Sequence, residues 1–246
     1  MEEKIMSKKE FLGGKNSNAY IVFYSTVMVV IVALLLAFTS LSLKDKQQAN
    51  EINEKKNAIV ASLGLEKGTY DSVIDAYVVN AAGEKVTIED DVIKRLNKLA
   101  DSYAAGEYIV FENKATGEFV LPLIGKGLWN DIWGYVALES DLNTIKGAIF
   151  DHAGETPGLG AEIATPKYQA QFVGKTIYQD GQFVGIDIVK GGAPEGDNHA
   201  VDTVTGGTKT SDGLENMIKD CLQCYDAFFK AQTAANQEVV ETVNAE

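Results

Sequence analysis

The segment from Ala19 to Leu43 reads AYIVFYSTVMVVIVALLLAFTSLSL and contains no charged residue. About 20 apolar residues cross the hydrocarbon core of a bilayer, so this segment is long enough to span it with some tilt. The alternatives are a buried helix and a cleaved signal peptide. A signal peptide has a shorter apolar region and a small-x-small cleavage site, which Lys44-Asp45-Lys46 does not offer. The sequence therefore predicts a retained transmembrane helix over residues 19–43.

The lysines around this segment leave its orientation nearly balanced by the positive-inside rule. Lysines stand in similar number before and after it, at Lys4, Lys8, Lys9 and Lys15 and at Lys44, Lys46, Lys55 and Lys56. A short tail before the segment and a large domain after it nevertheless favour a cytoplasmic N-terminus. We therefore expect residues 1–18 to be a cytoplasmic tail and the domain after the transmembrane helix to lie on the outer side of the membrane.

The remainder of the chain is predicted to fold as a mixed domain. Residues 44–63 are rich in Lys, Gln, Asn and Glu before they turn apolar, which predicts a helical connector. Residues 64–235 combine short strands and helices without βαβ regularity, so the fold class is α+β. We expect residues 236–246 to be a C-terminal tail.

Runs of β-branched and aromatic residues predict the strands. These strands are Val73–Val79, Tyr108–Phe111, Phe119–Leu123, Ile132–Leu138 and Thr144–Phe150. The last two are expected to be adjacent and antiparallel. A hairpin is predicted from Thr176–Tyr178 and Gln182–Val189, with its turn at Asp180-Gly181.

Three helical stretches are predicted inside this domain. They are Asp90–Ala104, Glu162–Phe172 with an interruption near Pro166, and a last helix over Ser211–Ala235. For the last helix, Asp212 can serve as the N-cap while Glu215 reaches back to it.

Charge and cysteine content exclude several classes of function. The formal net charge is −13, so a nucleic acid partner is not expected. Cys221 and Cys224 are too few for a disulfide framework. They could bind a metal or be oxidised, but no second pair of cysteines or histidines completes a zinc site. The alternative is that they are two small residues on a buried face of a helix. His152 and His199 stand alone in the sequence, and we predict neither a metal site nor a catalytic residue.

The stretch DTVTGGTKTS, residues 202–211, has the composition of a phosphate site. It does not spell the usual nucleotide loop, because a threonine separates Gly207 from Lys209. Thr208 is expected a few residues before the start of the last helix, whose unpaired amides would favour an anion. Thr205, Thr210 and Ser211 would add hydroxyl donors, and Lys209 would add positive charge. A helix-capping loop rich in hydroxyls is the alternative reading of the same composition.

Two further segments could contact a flat ligand. In HAGETPGLGA, residues 152–161, Gly158 and Gly160 have no side chain to keep a ligand from the backbone. An ordinary loop between a strand and a helix is the alternative. In GKGLW, residues 125–129, the indole of Trp129 could pack against an aromatic ligand or against the core.

These motifs together resemble a known family. DTVTGGTKTS is similar to the flavinylation motif of bacterial proteins that carry FMN on a threonine, with Thr208 at the acceptor position. Asp202, Thr205 and Gly206 also fit that motif, while Gly207 stands where the family usually has alanine. HAGETPGLGAEI and GKGLWNDIWGYVALE resemble further blocks of the same family. With the single anchor, residues 19 to about 230 resemble the C-subunit family of the sodium-translocating NADH:quinone oxidoreductases.

The resemblance implies a cofactor, partners and a location. A separate flavin transferase would use FAD and magnesium to join FMN to Thr208 by a phosphodiester bond. The flavin would relay electrons between other subunits of a multi-subunit membrane redox complex, on the outer side of the cytoplasmic (inner) membrane. The protein would not be active alone. We expect the FMN site to comprise Trp129, Glu155, Thr156, Gly158, Leu159, Gly160, Asp202, Thr205, Gly206, Gly207, Thr208, Lys209, Thr210 and Ser211.

Other functions stay open on the sequence alone. The G-subunit family of the Rnf-type ferredoxin:NAD oxidoreductases shares the anchor, the ETPGLG block and the flavinylated threonine, although GKGLW favours the NADH:quinone family. A membrane-anchored domain could instead bind a phosphorylated ligand without electron transfer. A structural assembly protein could use the Thr208 loop only as a helix cap.

Overall fold

A computed structural model describes the backbone of residues 18–244 and the side chains of residues 18–235. The chain divides into two units, residues 1–51 and 52–246. Helix α1, Asn18–Ser62, is 45 residues long and begins in the first unit. Within the described residues it is the one helix that is long and apolar enough to cross a membrane, with a mean hydropathy of 2.8 over its most apolar window. The predicted helical connector, residues 44–63, is part of this helix except for its last residue.

Side-chain hydroxyls in the apolar part of α1 bond to the helix itself. The Thr26 hydroxyl donates to the carbonyl of Val22 at 2.8 Å, and the Ser42 hydroxyl donates to the carbonyl of Phe38 at 2.7 Å. Bonds to the preceding turn satisfy these hydroxyls without water, which suits an apolar surrounding.

The second unit is built on a six-stranded antiparallel sheet with the strand order β2-β1-β3-β4-β5-β6. Its strands are β1 Ile74–Asn80, β2 Lys85–Val86, β3 Glu107–Asn113, β4 Phe119–Lys126, β5 Asp131–Leu138 and β6 Ile145–His152. The five strands predicted from sequence correspond to β1 and β3–β6, and the antiparallel pairing of the last two is confirmed. The short strand β2 was not predicted.

Both faces of this sheet are buried because apolar residues occupy successive positions along the middle of the central strands. On β4, Leu121 and Leu123 belong to one hydrophobic core, while Val120 belongs to the other. The first core contains the long helix α6, Thr208–Cys224. The second core contains the end of α1 around Ile59, helix α2, Tyr70–Val73, and the other short helices before β3. Fully burying each large apolar side chain stabilises the fold by about 1.5–3 kcal/mol.

The short helices partly match their predictions. The predicted helix Asp90–Ala104 consists of α3 Val92–Arg95, a 3₁₀ turn and α4 Leu99–Ala104. The predicted interruption near Pro166 is confirmed, because Pro166 opens the short helix α5, Pro166–Gln169, between two 3₁₀ turns. Pro fits the first position of a helix, where no amide partner is needed.

The predicted last helix is wrong at both its start and its continuity. Helix α6 begins at Thr208, with Gly207 as the N-cap, and α7 follows as Asp226–Asn244. Asp212 does not cap the helix and instead pairs with Lys209 at 2.9 Å. The Glu215 carboxylate accepts a hydrogen bond from the amide of Ile188 at 2.8 Å, so it does not reach back to the helix start.

Tyr225 separates α6 from α7. Its hydroxyl donates to the carbonyl of Ile109 at 2.8 Å, and its ring lies against Tyr103 and Tyr108. Its backbone has φ −88° and ψ 0°, away from helical values. The break therefore follows from a contact with strand β3 and not from a local helix breaker.

The predicted hairpin is partly right. Strands β7 Tyr178–Gln179 and β8 Gln182–Phe183 pair through a turn at Asp180 and Gly181, both with positive φ. The strand predicted over Gln182–Val189 is wrong in its length, because Gly185 turns the chain at φ +68°. The chain then forms β9 Asp187–Val189, which pairs in parallel with β10 Ala200–Asp202. Strand β10 was not predicted, and it leads directly into the loop before Thr208.

Candidate functional site

Thr208 is the first residue of α6, not a residue a few positions before it. The N-cap residue, Gly207, has φ −110° and supplies no side-chain hydrogen bond to the helix. The first-turn amides of a helix lack partners within the helix, and here no capping side chain satisfies them. The dipole of this 17-residue helix adds partial positive charge at the same point. The helix start is therefore suited to hold a phosphate beside Thr208.

The hydroxyls that follow Thr208 are directed into the protein. Thr210 and Ser211 are both about 1% exposed. The Thr210 hydroxyl donates to Glu155 Oε2 at 2.6 Å, and Ser211 Oγ accepts from the amide of Val204 at 3.1 Å. The Thr208 side chain is half-buried and has no hydrogen bond to any other described residue. Among these three hydroxyls, the one on Thr208 is thus uncommitted.

A cleft of about 160 Å³ opens beside Thr208. Three segments form its wall: the β4–β5 loop, the loop after β6, and the start of α6. The lining residues are Leu128, Trp129, Glu155, Thr156, Leu159, Gly160, Gly206, Gly207, Thr208, Lys209 and Thr210. The structure therefore brings together most of the residues that the sequence grouped around FMN.

Some of the expected site residues lie outside the cleft lining. Ser211 is buried behind it, and Thr205 and Gly158 are exposed next to it in the chain. Asp202 is the last residue of β10, and its Oδ1 accepts from the amide of Ala193 at 2.7 Å. Its carboxylate thereby fixes a neighbouring loop.

Two glycines allow the cleft segments to approach closely. Gly206 has φ +74°, and a Cβ there would lie 2.6 Å from Leu159 Cδ2. A Cβ on Gly160 would meet Thr210 Oγ1 and would lie 2.6 Å from Glu155 Oε2. Real side-chain atoms do not approach so closely. A side chain at Gly160 would therefore push the buried Thr210 and Glu155 away, and one at Gly206 would displace the exposed Leu159 side chain.

Glu155 is a buried carboxylate at the base of this cleft, about 4% exposed. Its Oε1 accepts from the amide of Trp129 at 2.9 Å, while its Oε2 accepts from Thr210. Burial alone would raise the pKa of Glu155. The hydrogen bonds from Thr210 and from the amides of Trp129 and Asn130 outweigh burial and lower that pKa below its usual value. Glu155 is therefore ionised at neutral pH.

The mouth of the cleft is apolar. The exposed fractions are 70% for Trp129, 53% for Leu128 and 43% for Leu159. Trp129 therefore does not pack into the core, which was one of the two alternatives from sequence. Leu128 was missed as a site residue, although an apolar residue in a glycine-containing turn was a usable signal. Exposed apolar groups gathered at one cleft mark a ligand or partner surface.

Lys209 supplies a cation at the cleft. Its ammonium pairs with Asp212 at 2.9 Å, and both side chains are largely exposed. An exposed pair of this kind is worth roughly 0–1 kcal/mol, so the lysine can exchange Asp212 for a bound phosphate.

Larger cavities lie away from these residues. One of about 210 Å³, bordered by Leu96, Trp133 and Tyr135, opens on the other face of the sheet from α6. None of the expected site residues lines it. Cys221 is buried, and Cys224 is half-buried, with no group of three or more metal-ligating side chains among the described residues. The Thr208 cleft remains the place where the expected site residues converge.

Comparison with known proteins gives consistent matches. Residues 127–223 match the model of the FMN-binding domain family. The C-subunit of the Na(+)-translocating NADH-quinone reductase of Vibrio vulnificus is 31% identical over 76% of this chain and 84% of its own. Its counterpart in Pseudomonas aeruginosa is 31% identical over 88% of this chain and 97% of its own. The crystal structure of the counterpart from Parabacteroides distasonis has a TM-score of 0.69 and 36% identity, over 76% of this chain and 96% of that one.

Proposed function

The chain belongs to the C-subunit family of the Na(+)-translocating NADH-quinone reductases, and from that premise we propose that it carries FMN as a phosphodiester on Thr208. The observation that carries this proposal is the state of the Thr208 hydroxyl. It lies in the cleft, it is uncommitted among the described residues, and it stands at the unpaired amides of a long helix. Thr210 and Ser211, the nearest other hydroxyls, point inward.

The attachment chemistry needs a separate enzyme and a flavin nucleotide. Thr208 Oγ1 would form a bond to the FMN phosphorus of FAD, the pyrophosphate bond would break, and AMP would leave. The threonine proton would pass to a base of the flavin transferase. We therefore infer that Thr208 is an attachment point and not a catalytic residue. We assign no cofactor-binding hydroxyl to Thr210 or Ser211, because their bonds to Glu155 and Val204 shape the loop instead.

The residues present suit a covalently held flavin. The cleft, at about 160 Å³, is smaller than the roughly 300–1,000 Å³ of pockets that enclose a ligand. A flavin would therefore be held only in part by contacts, and a covalent bond would retain it. The amides at the start of α6 and Lys209 would hold the phosphate, while Trp129 and Leu159 would pack against the flat ring. When bound, FMN supplies the capacity to accept and donate electrons.

The wider function follows from the family. Named relatives are subunits of a sodium-translocating NADH-quinone reductase, so we infer that this chain relays electrons between other subunits of such a complex. Helix α1 would anchor it in the inner membrane, with the flavin cleft on the outer side. On this proposal Asp202, which bonds to the Ala193 amide, shapes the loop that the transferase recognises.

A matched set of threonine variants tests the attachment. The chain is produced together with a flavin transferase, and its intact mass and its fluorescence on a denaturing gel are measured. Wild type should be heavier than the polypeptide by FMN less one water, with the adduct on the Thr208 peptide. Thr208→Val should lose the adduct completely because only a hydroxyl can form the ester. Thr203→Val, in the same loop but outside both the cleft lining and the matched positions of the motif, should keep it.

A wild-type mass equal to that of the bare polypeptide would contradict the proposal, provided that the transferase is active on another substrate in the same cells. The helix start would also suit a second function, the non-covalent binding of a phosphorylated ligand. In that case any flavin would be released on denaturation, and the gel band would be dark.

A further inference from the structure

Glu155 touches all three segments that form the cleft. Its Oε2 accepts from Thr210 in the first turn of α6 at 2.6 Å, and its Oε1 accepts from the Trp129 amide in the β4–β5 loop at 2.9 Å. Its own amide donates to Nδ1 of His152, the last residue of β6, at 3.2 Å. One side chain and its backbone therefore connect the acceptor helix, the loop with the exposed indole, and the edge of the sheet.

The carboxylate occupies space that two glycines leave open. A Cβ added at Gly127 would lie 2.5 Å from Glu155 Oε1, and one added at Gly160 would lie 2.6 Å from Oε2. Glycine on both sides thus makes room for a carboxylate that is itself about 4% exposed. Among the described residues it forms no ion pair with a lysine or arginine, so hydrogen bonds, together with the nearby His152, compensate its charge.

We propose that Glu155 is a positioning residue that fixes the first turn of α6 against the Trp129 loop and places a fixed negative charge beneath the flavin. This inference rests on the proposed attachment of FMN at Thr208. Thr210 is two residues after Thr208 in the same helical turn, so the Glu155–Thr210 bond sets the rotation of that turn. The negative charge also explains why the phosphate belongs at the helix start and not at Glu155, since like charges repel.

Substitutions at two positions separate the bond from the charge. Thr210→Val removes the hydroxyl and keeps nearly the same shape, while Thr210→Ser keeps a hydroxyl at that position. Glu155→Gln removes the charge and keeps the shape: its amide oxygen can accept from Trp129 and its amide nitrogen can donate to Thr210. Glu118→Gln is the matched control, because Glu118 is also a buried carboxylate that accepts from a threonine, Thr116 at 2.7 Å, but lies outside the cleft lining.

The experiment uses the full chain, produced with an active flavin transferase, and measures two quantities. The first is the rate of FMN incorporation, from the fraction of chains that carry FMN by intact mass at successive times. Thr210→Val should lower the rate of incorporation about tenfold, as expected for the loss of a hydrogen bond to a charged group, and Thr210→Ser should restore it. The second is the reduction potential of the attached flavin. Glu155→Gln should shift it to a more positive value, because adding an electron beside a fixed negative charge is unfavourable.

The controls distinguish the possible failures. Glu118→Gln should leave both incorporation and potential at the wild-type values even where it lowers the melting temperature. Normal incorporation by Thr210→Val, or an unchanged potential in Glu155→Gln, would overturn the positioning role while leaving attachment at Thr208 intact. Thr210→Val could also lose flavin only because the unloaded domain is unfolded at the growth temperature. If the unfolded fraction accounted for the lost flavin, the positioning role would be overturned as well. Absence of flavin from wild type would instead reject the proposed function.

Discussion

Gly206 shows how one backbone position controls access to Thr208. It adopts φ +74°, and a Cβ there would lie 2.6 Å from Leu159, which lines the cleft. Gly206→Ala should therefore have two effects. It should lower the free energy of unfolding by roughly 1–2 kcal/mol through the left-handed backbone, and it should lower flavin incorporation by displacing Leu159. The melting temperature and the intact mass of the same preparation measure these effects separately.

Gly174 provides the control for backbone strain alone. It adopts φ +79° and has open space where a Cβ would stand. Gly174→Ala should thus lower stability by a similar amount and leave incorporation unchanged. If both variants lost flavin equally, the effect would come from stability and Gly206 would have no specific role in presenting Thr208.

The sequence predicted those site residues whose role depends on their own residue type and local motif. The resemblance indicated Thr208, and the glycine-rich segment indicated Gly160, and both line the cleft. Side-chain partners could not be predicted, because the bond from Thr210 to Glu155 joins residues 55 positions apart. The same hydroxyls that suggested phosphate contacts at Thr210 and Ser211 turn inward once the chain folds.

At the scale of elements, the position of α6 depends on its close approach to β4. Gly213 lies on the helix where a Cβ would meet the carbonyl oxygen of Lys126. Gly125 lies on the strand where a Cβ would be 2.6 Å from Met217 Cβ. Glycine on each element thus lets the helix backbone rest on the end of the strand, beside the Trp129 loop. This contact sets where the start of α6, and so Thr208, meets the cleft.

This contact predicts a stability change of unexpected sign. Replacing glycine by alanine inside a helix normally raises stability by about 1 kcal/mol, because alanine has the higher helix propensity. Gly213→Ala should instead lower the free energy of unfolding by about 1–3 kcal/mol, the usual cost of overpacking. Denaturant unfolding of wild type and Gly213→Ala measures the difference in the free energy of unfolding, provided that the two proteins have the same m-value.

Asn216 is the control on the same helix. It lies on the exposed side of α6, so Asn216→Ala should follow propensity alone and stabilise by about 0.5 kcal/mol. An increase in stability for Gly213→Ala would show that the helix can move away from β4 without cost, and the close approach would then have no role in placing Thr208.

The elements themselves were predictable to different degrees. Strands β4 and β5 could be placed because apolar residues, several of them β-branched or aromatic, fill most of their length. The start of α6 was missed because Gly207 gives no side-chain cap, while Asp212 offered a better local signal. The break at Tyr225 was missed because its cause is the bond to the Ile109 carbonyl on a distant strand. Local sequence propensity therefore predicted neither the start of α6 nor its end.

At the scale of the whole molecule, the chain combines an exposed apolar helix with a domain that contains the entire cleft. All cleft-lining residues lie between Leu128 and Thr210, within the second unit. In the first unit, the most apolar window of α1 buries none of its residues against the described protein. An apolar surface of that size requires a cover, and its length matches a bilayer core. On the proposed function, the first unit would anchor the chain and the second would bind the flavin.

This assignment predicts on which side of the membrane each flank of the helix lies. Lys8 precedes the uncharged run Ala19–Leu43 and Lys46 follows it, so a cysteine at either position reports one side. The test adds a membrane-impermeant maleimide to spheroplasts or inverted vesicles from cells that produce Lys8→Cys or Lys46→Cys. Both variants also carry Cys224→Ser, so that the one remaining native cysteine, Cys221, is buried. Lys46→Cys should be labelled from outside in spheroplasts, and Lys8→Cys only in inverted vesicles. The opposite pattern would place the cleft in the cytoplasm and remove the proposed external flavin. Labelling of both positions from the same side would show that the helix does not span the membrane at all, and the anchor would have to be abandoned while Thr208 kept its chemistry.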